Sequence, residues 1–337
     1  KDSELFYHSF DETLMDYFNN DEKKIIPISF LGSSSGGIAL DHNYRYQILY
    51  NLLSEGVIKN VFLYEQSFVL FALASLFKID NKKYFDTIEI ALTLLRKVED
   101  RWFSNQIENK RIPTDKYLTD PYMHLLEGLL LWEEVLENEI FSNQINEFKK
   151  SSDYIVNLIL SKCVDHTYGF IAEEYSTGWI KLKDKFVQIE PGHQYEWSWL
   201  LLKWSRFRNH NADIKSSALK LLKFGEKYGL DRENLLVVNS ISSNFQINKS
   251  DSKIWPQCER LKAWLSYYSI NNNDSLYALQ KCYVSLQNLI NYLDKPFSGG
   301  WIECKSGKNN VSDKFVKSSS FYHIVSALDE LRKLKLS

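Results

Sequence analysis

EPGHQYEWSWLLL, residues 190 to 202, opens on Pro-Gly, sets His193 and Glu196 three residues apart, and then turns aromatic and aliphatic. Proline suits the first helical position, and residues three apart share a helix face. The stretch therefore reads as a buried helix whose N-terminus presents a histidine and a glutamate together. A solvated first turn would explain one such pair, but the arrangement recurs. In TDPYMHLLEGLL, Asp120 is a good N-cap, Pro121 fits the first helical position, and His124 follows. In IWPQCERLKAWL, Pro256 leads into Gln257 and Glu259, and in KSSSFYHIVSAL the serines lead into His323. LYEQSFVLFALA offers Tyr64 and Gln66 in the same way. From Gln66 through His124, His193 and Gln257 to His323 the steps are 58, 69, 64 and 66 residues. Each step has room for two helices and two loops, so every second helix begins in polar chemistry. If helical hairpins close into a ring, as in α/α barrels, these starts converge on a pocket at one mouth.

The remainder of the chain fits an all-α class. Apolar residues recur at three- and four-residue spacing through YFDTIEIALTLLRKVEDRWF (84 to 103), PYMHLLEGLLLWEEVL (121 to 136) and SLYALQKCYVSLQNLINYL (275 to 293). The pattern predicts helices near 4–18, 62–77, 83–99, 120–137, 143–160, 193–208, 211–227, 256–269, 273–293 and 318–334. No linker interrupts them, and the expectation is one domain over residues 1–337. A composition 44% hydrophobic and 15% aromatic supplies a large core. A net charge of −2 without charge blocks gives no electrostatic footprint for nucleic acid. The longest apolar run, FVLFALA (68 to 74), is far too short to span a membrane. Cys163, Cys258, Cys282 and Cys304 have no metal-like spacing and read as reduced thiols, and no secretory leader is read, which together predict a cytoplasmic protein. His8, His42, His166 and His210 read as surface or satisfied core residues, and Glu173 and Glu174 fit a loop role as well as a substrate contact. Trp197, Trp255 and Tyr322 stand beside the polar starts and would suit the apolar faces of a sugar ring.

Taken together, EPGHQYEWSWLL, DPYMHLLEGLL, LYEQSFVLFALA, WPQCERLKA and SSSFYHI resemble the N-acylglucosamine 2-epimerase superfamily, from about residue 36 in GGIALD to about residue 327. WPQCERLKA and SSSFYHI look most like its mannose-6-phosphate isomerase-like branch. The resemblance implies an (α/α)6 barrel that moves a proton on an opened sugar with no metal or other cofactor. It implies His193 and His323 as the acid/base pair, Glu196 as the family's carboxylate, and His124 as a contact near the substrate's carbonyl end. Tyr64, Gln66, Asp120, Gln257, Glu259 and Trp197 complete the expected substrate-binding set. Two departures stand out: Asp120 replaces the usual asparagine, and matching LYEQSFVLFALA to the second inner helix leaves no room for a first hairpin with its arginine. The expected toroid is therefore short of that hairpin.

Breaking a C–H bond beside a carbonyl calls for a base whose proton affinity lies near working pH, which an imidazole has. A helix N-terminus disfavours imidazolium, so His193 is expected neutral. These residues fit aldose–ketose isomerisation of a mannose-type sugar, free or 6-phosphorylated. A 2-epimerase working through the same enediol(ate), and an inactive sugar- or partner-binding toroid, stay open. The implied partner is a small sugar, with no nucleic acid or membrane. A homodimer is compatible with the pattern.

Overall fold

A computed structural model describes residues 26–28, 37–39, 62–103, 116–137, 139–182, 186–209, 212–270, 275–293, 300–306, 310–311 and 316–334. The helix expected near residues 4–18 lies outside them, as do His8, His42 and His210. Nine α-helices occur among the described residues. They are α1 (Leu63–Ile79), α2 (Thr87–Val98), α3 (Asp120–Val135), α4 (Ser142–Leu158), α5 (Pro191–Phe207), α6 (Ala212–Tyr228), α7 (Ile254–Ile270), α8 (Ser275–Leu293) and α9 (Ser318–Lys333). Each falls within a few residues of the span its periodicity predicts. Among the described residues no helix is long and apolar enough to cross a membrane.

Backbone packing divides the chain into two compact units, one of residues 1–112 and 124–153, the other of residues 113–123 and 154–337. In the first, α1 and α2 form a hairpin whose turn is held by Asp80, its carboxylate accepting the Lys82 and Lys83 amides. The part of α3 in this unit lies close against α1. The Trp132 indole donates to the Leu70 carbonyl at 3.0 Å and stacks on Phe148. Gly128 permits the approach, since a Cβ there would sit 3.2 Å from the Ser67 carbonyl oxygen.

In the second unit α5 packs on α6 and α7, and α7 packs on α8 and α9. The two classes of helix bury different surfaces. Residues 254 to 267 of α7 are buried apart from Trp255, and α5 is buried almost throughout its length, whereas α6 buries a single stripe. A helix apolar or tightly packed on all sides belongs inside, and a one-striped helix belongs outside. Short antiparallel strands gather the entries to the inner helices. β3 (Lys116–Leu118) leads into α3 and pairs with β4 (Glu174–Ser176). β5 (Gln188–Ile189) leads into α5 and pairs with β6 (Ser240–Ser242), which pairs in turn with β7 (Ile247–Lys249). β8 (Ser252–Lys253) leads into α7 and pairs with β9 (Cys304–Ser306), which pairs with β10 (Asn310–Val311) ahead of α9. One further hairpin, β1 (Ile26–Ile28) with β2 (Gly37–Ala39), belongs to the first unit. The stretches read from sequence as plain loops thus contain ladders, and these ladders tie successive helix starts to one another.

Candidate active site

Two glutamines fasten the inner helices of the second unit to the preceding loops. Gln194 accepts the Ile171 amide at 2.9 Å and donates to the Ile171 carbonyl at 2.9 Å. Gln257 does the same with Val237, at 3.0 and 3.1 Å, and also donates to the Lys253 carbonyl. Both side chains are fully or almost fully buried. Their amides satisfy backbone groups that would otherwise be orphaned away from water. Gln257, expected to touch substrate, is instead a strut whose amide is consumed by the backbone.

The start of α5 is held by a glutamate from the preceding loop. Glu190 occupies the N-cap in extended conformation with no side-chain cap of its own. Its amide donates to Glu173 Oε1 at 2.8 Å, while Glu173 Oε2 lies 2.7 Å from His193 Nδ1. The other ring nitrogen, Nε2, lies 3.7 Å from Asp120 Oδ1. Burial pushes the Glu173 carboxyl up. Burial alone would lower His193, but the carboxylates of Glu173, Glu190 and Asp120 outweigh it and hold the imidazole well above its ordinary value. The buried pair consequently keeps a proton through neutral pH. This overturns the neutral His193 expected from the helix dipole, because a dipole's fraction of a charge is smaller than a carboxylate in contact.

The start of α9 repeats the device. Buried Glu303 accepts the Lys317 amide at 3.0 Å, the Ser320 hydroxyl at 2.7 Å and the Trp301 indole at 3.0 Å, and its carbonyl accepts the Ile254 amide at the head of α7. One turn further, His323 Nδ1 lies 2.7 Å from Glu259 Oε1. Glu259 Oε2 lies 2.8 Å from Lys262 Nζ, and neither of those side chains has any exposed surface. Glu196 is fully buried, and one oxygen of it, one of Glu259 and one nitrogen of His323 all lie within 4.8 Å of each other. That grouping resembles a metal's donor set, but the local cation on Glu259 is the Lys262 ammonium. We read a proton-handling cluster there.

Trp255 packs against both histidines, its ring centroid 5.0 Å from His193 and 5.5 Å from His323. The imidazoles are thus no further apart than the sum of those two separations, which a single sugar bridges. Gly192 makes room for the indole, since a Cβ at that position would fall 2.5 Å from two of its ring carbons. Trp197, expected as an aromatic wall, is fully buried one turn beyond His193, and Trp255, half-buried, has the place beside the histidines.

A family model described as N-acylglucosamine 2-epimerase matches residues 34–327. The chain belongs to that family. It is 28% identical over 279 residues to a mannose-6-phosphate isomerase of Rhizobium meliloti (strain 1021), covering 80% of this chain and 69% of that one. It is 23% identical over 295 residues to a cellobiose 2-epimerase of Dictyoglomus turgidum, covering 77% and 71%. A crystal structure of D-mannose isomerase superposes with a TM-score of 0.66 at 18% identity, covering 81% and 72%. The fold is the α/α toroid of the epimerase family, and the protein is an enzyme of the sugar isomerase or 2-epimerase kind.

Within this epimerase-family frame the second unit brings together Asp120, His193, Glu196, Glu259 and His323 of the expected residues. Tyr64, Gln66 and His124 belong to the first unit. There, His124 is buried, packed edge-on against Tyr64 at 5.1 Å and against Phe68 at 4.8 Å, with its Nδ1 3.7 Å from Glu127. Gln66 is buried and donates to the Phe62 carbonyl one turn back. Lys262 and Glu303 are the residues that sequence reasoning missed, and Glu173, read as a loop residue or a substrate contact, proves to hold His193. One signal was available: Glu173 stands 20 residues before His193, and Glu303 stands 20 before His323.

Proposed function

We propose that the protein interconverts an aldose of mannose type, free or 6-phosphorylated, and its 2-ketose by histidine proton transfer through an enediol(ate). The observation that carries this is the pair His193 and His323, both with their rings against Trp255 and each with Nδ1 on a glutamate. A carboxylate on Nδ1 fixes ring orientation and tautomer, so the proton exchanged with substrate travels on Nε2. Trp255 supplies a platform for the apolar face of the opened sugar, and Glu196 and Asp120 supply acceptors for its hydroxyls. The likeness to a mannose-6-phosphate isomerase and a D-mannose isomerase supports the mannose-type substrate. Four free, buried cysteines fit a reducing compartment, in keeping with a cytoplasmic enzyme.

A second reading, 2-epimerisation, is favoured by one feature. Two bases beside one platform could serve opposite faces of C2, and one relative is a cellobiose 2-epimerase. Product analysis separates the readings. The protein is incubated with mannose, mannose 6-phosphate, cellobiose and N-acetylglucosamine, and the sugars are separated by chromatography. A fructose-type ketose from a mannose-type sugar is the expected product. A C2-inverted aldose without ketose would replace isomerase by epimerase, and binding without any product would make the protein a sugar receptor.

A further inference from the structure

The two histidine–glutamate pairs differ in the charges that surround them. The charged groups facing His193 are Glu173 on its loop, Glu190 ahead of α5 and Asp120 at the head of α3, all carboxylates. Facing His323 are Glu259 and Lys262 from α7 and Glu196 from α5. Lys262 is the difference. A fully buried ammonium is costly unless paired, and this one is paired with Glu259 at 2.8 Å. It also lies 3.7 Å from the centroid of the Trp199 ring and 3.4 Å from the Ser326 hydroxyl, one turn along α9 from His323. Its charge therefore acts on the same carboxylate that holds His323.

We propose that Lys262 divides the labour between the histidines: by pairing with Glu259 it leaves His323 the weaker holder of a proton and hence the base, while His193, clasped by Glu173 and Asp120, begins turnover as the acid. The inference rests on the proton-transfer reading of this site. In the first half-reaction Nε2 of His323 takes the C2 proton, and the C–H electron pair becomes the C1–C2 double bond. The carbonyl π pair moves onto the C1 oxygen, which takes the proton of the His193 imidazolium. In the second half the C2 hydroxyl returns its proton to His193, C2–O becomes the carbonyl, and C1 takes the proton from His323. Both histidines end as they began. Lys262 touches neither substrate nor reacting atoms in this scheme and is a positioning residue.

The test is a histidine-resolved NMR titration of the intact protein without sugar, with the two imidazoles assigned from His193→Asn and His323→Asn. In the wild-type protein His323 should lose its proton at lower pH than His193. In Lys262→Met the His323 midpoint should rise by about one pH unit or more, with His193 unmoved, and Lys262→Arg should restore the wild-type value. Should Lys262→Met fail to fold, the double variant Lys262→Met/Glu259→Gln removes both charges and should keep the low His323 midpoint. A wild-type His323 that holds its proton to higher pH than His193, or an unmoved midpoint in folded Lys262→Met, overturns the proposal. The titration uses no substrate. A protein that turns over no aldose but titrates as described would sink the isomerase reading, and with it the acid and base roles, while leaving Lys262 as the group that sets the His323 midpoint.

Discussion

Replacing Glu173 with Gln keeps an acceptor for the Glu190 amide while removing the charge that holds a proton on His193. The sign follows from linkage. The folded His193 holds its proton at pH values where an unfolded imidazole, at its ordinary 6.5, has lost it. That contribution to stability is full below the ordinary imidazole value and is lost as pH rises through the raised one. The melting temperature of the wild-type protein should therefore fall on going alkaline, and Glu173→Gln should flatten that slope. In kinetics, the alkaline limb of kcat/KM should move to lower pH in Glu173→Gln, because its imidazolium releases the proton sooner. An alkaline limb that stays in place would remove His193 from the acid role. The place of His193 at a helix N-terminus was legible in EPGHQYEW because a Pro-Gly start advertises one. Its protonation was not, because the deciding carboxylate lies 20 residues away on a strand-flanked loop and reaches it only through the fold.

At the scale of elements, long helices repeat an apolar period often enough to be read, so α2 through α9 fall close to their expected positions. Strands of two or three residues carry no period, and β3 to β10 were invisible for that reason. Gln257 shows the same limit. Its place in the first turn of an inner helix looked like a site position, but whether an amide faces a substrate or a backbone depends on the loop that β6 leaves beside it. Gln257→Ala orphans the buried Val237 amide and carbonyl, which should cost roughly 1–3 kcal/mol for each group left unpaired. Denaturant unfolding should show the loss, with KM for the sugar little changed. A variant of native stability and raised KM would restore Gln257 to the substrate. A second tie joins four helices: Glu226 of α6 accepts from Arg260 and Trp264 of α7, Lys281 of α8 and Tyr195 of α5. Burial works to raise its carboxyl, but Arg260 and Lys281 prevail and hold it down at about 2. A depressed carboxyl stabilises the fold above its ordinary value, and that stability is lost as pH falls from there towards 2. Glu226→Gln should lower stability near neutral pH by on the order of 3 kcal/mol, leaving the buried Arg260 and the half-buried Lys281 without their carboxylate. It should also unfold with less pH dependence on the acid side. An unchanged acid slope would mean that Glu226 is not the group responsible.

For the whole molecule, we propose that a family toroid uses His193 and His323 to break the C–H bond at C2 of a sugar. The resemblance to the epimerase family was legible because five helix starts keep their order and spacing. The substrate was not, because isomerase and epimerase need the same histidines and differ in how the enediol is held. Solvent exchange reads the shared step directly. Mannose and mannose 6-phosphate are incubated with the protein in D2O and followed by NMR, alongside His193→Asn and His323→Asn. The expected result is deuterium in the sugar with formation of a fructose-type ketose. Exchange should be slowed by roughly 10²–10⁴ in each variant while far-UV circular dichroism stays native. Exchange at wild-type rate in either variant, or no deuterium in any sugar the wild-type protein is seen to bind, would contradict it.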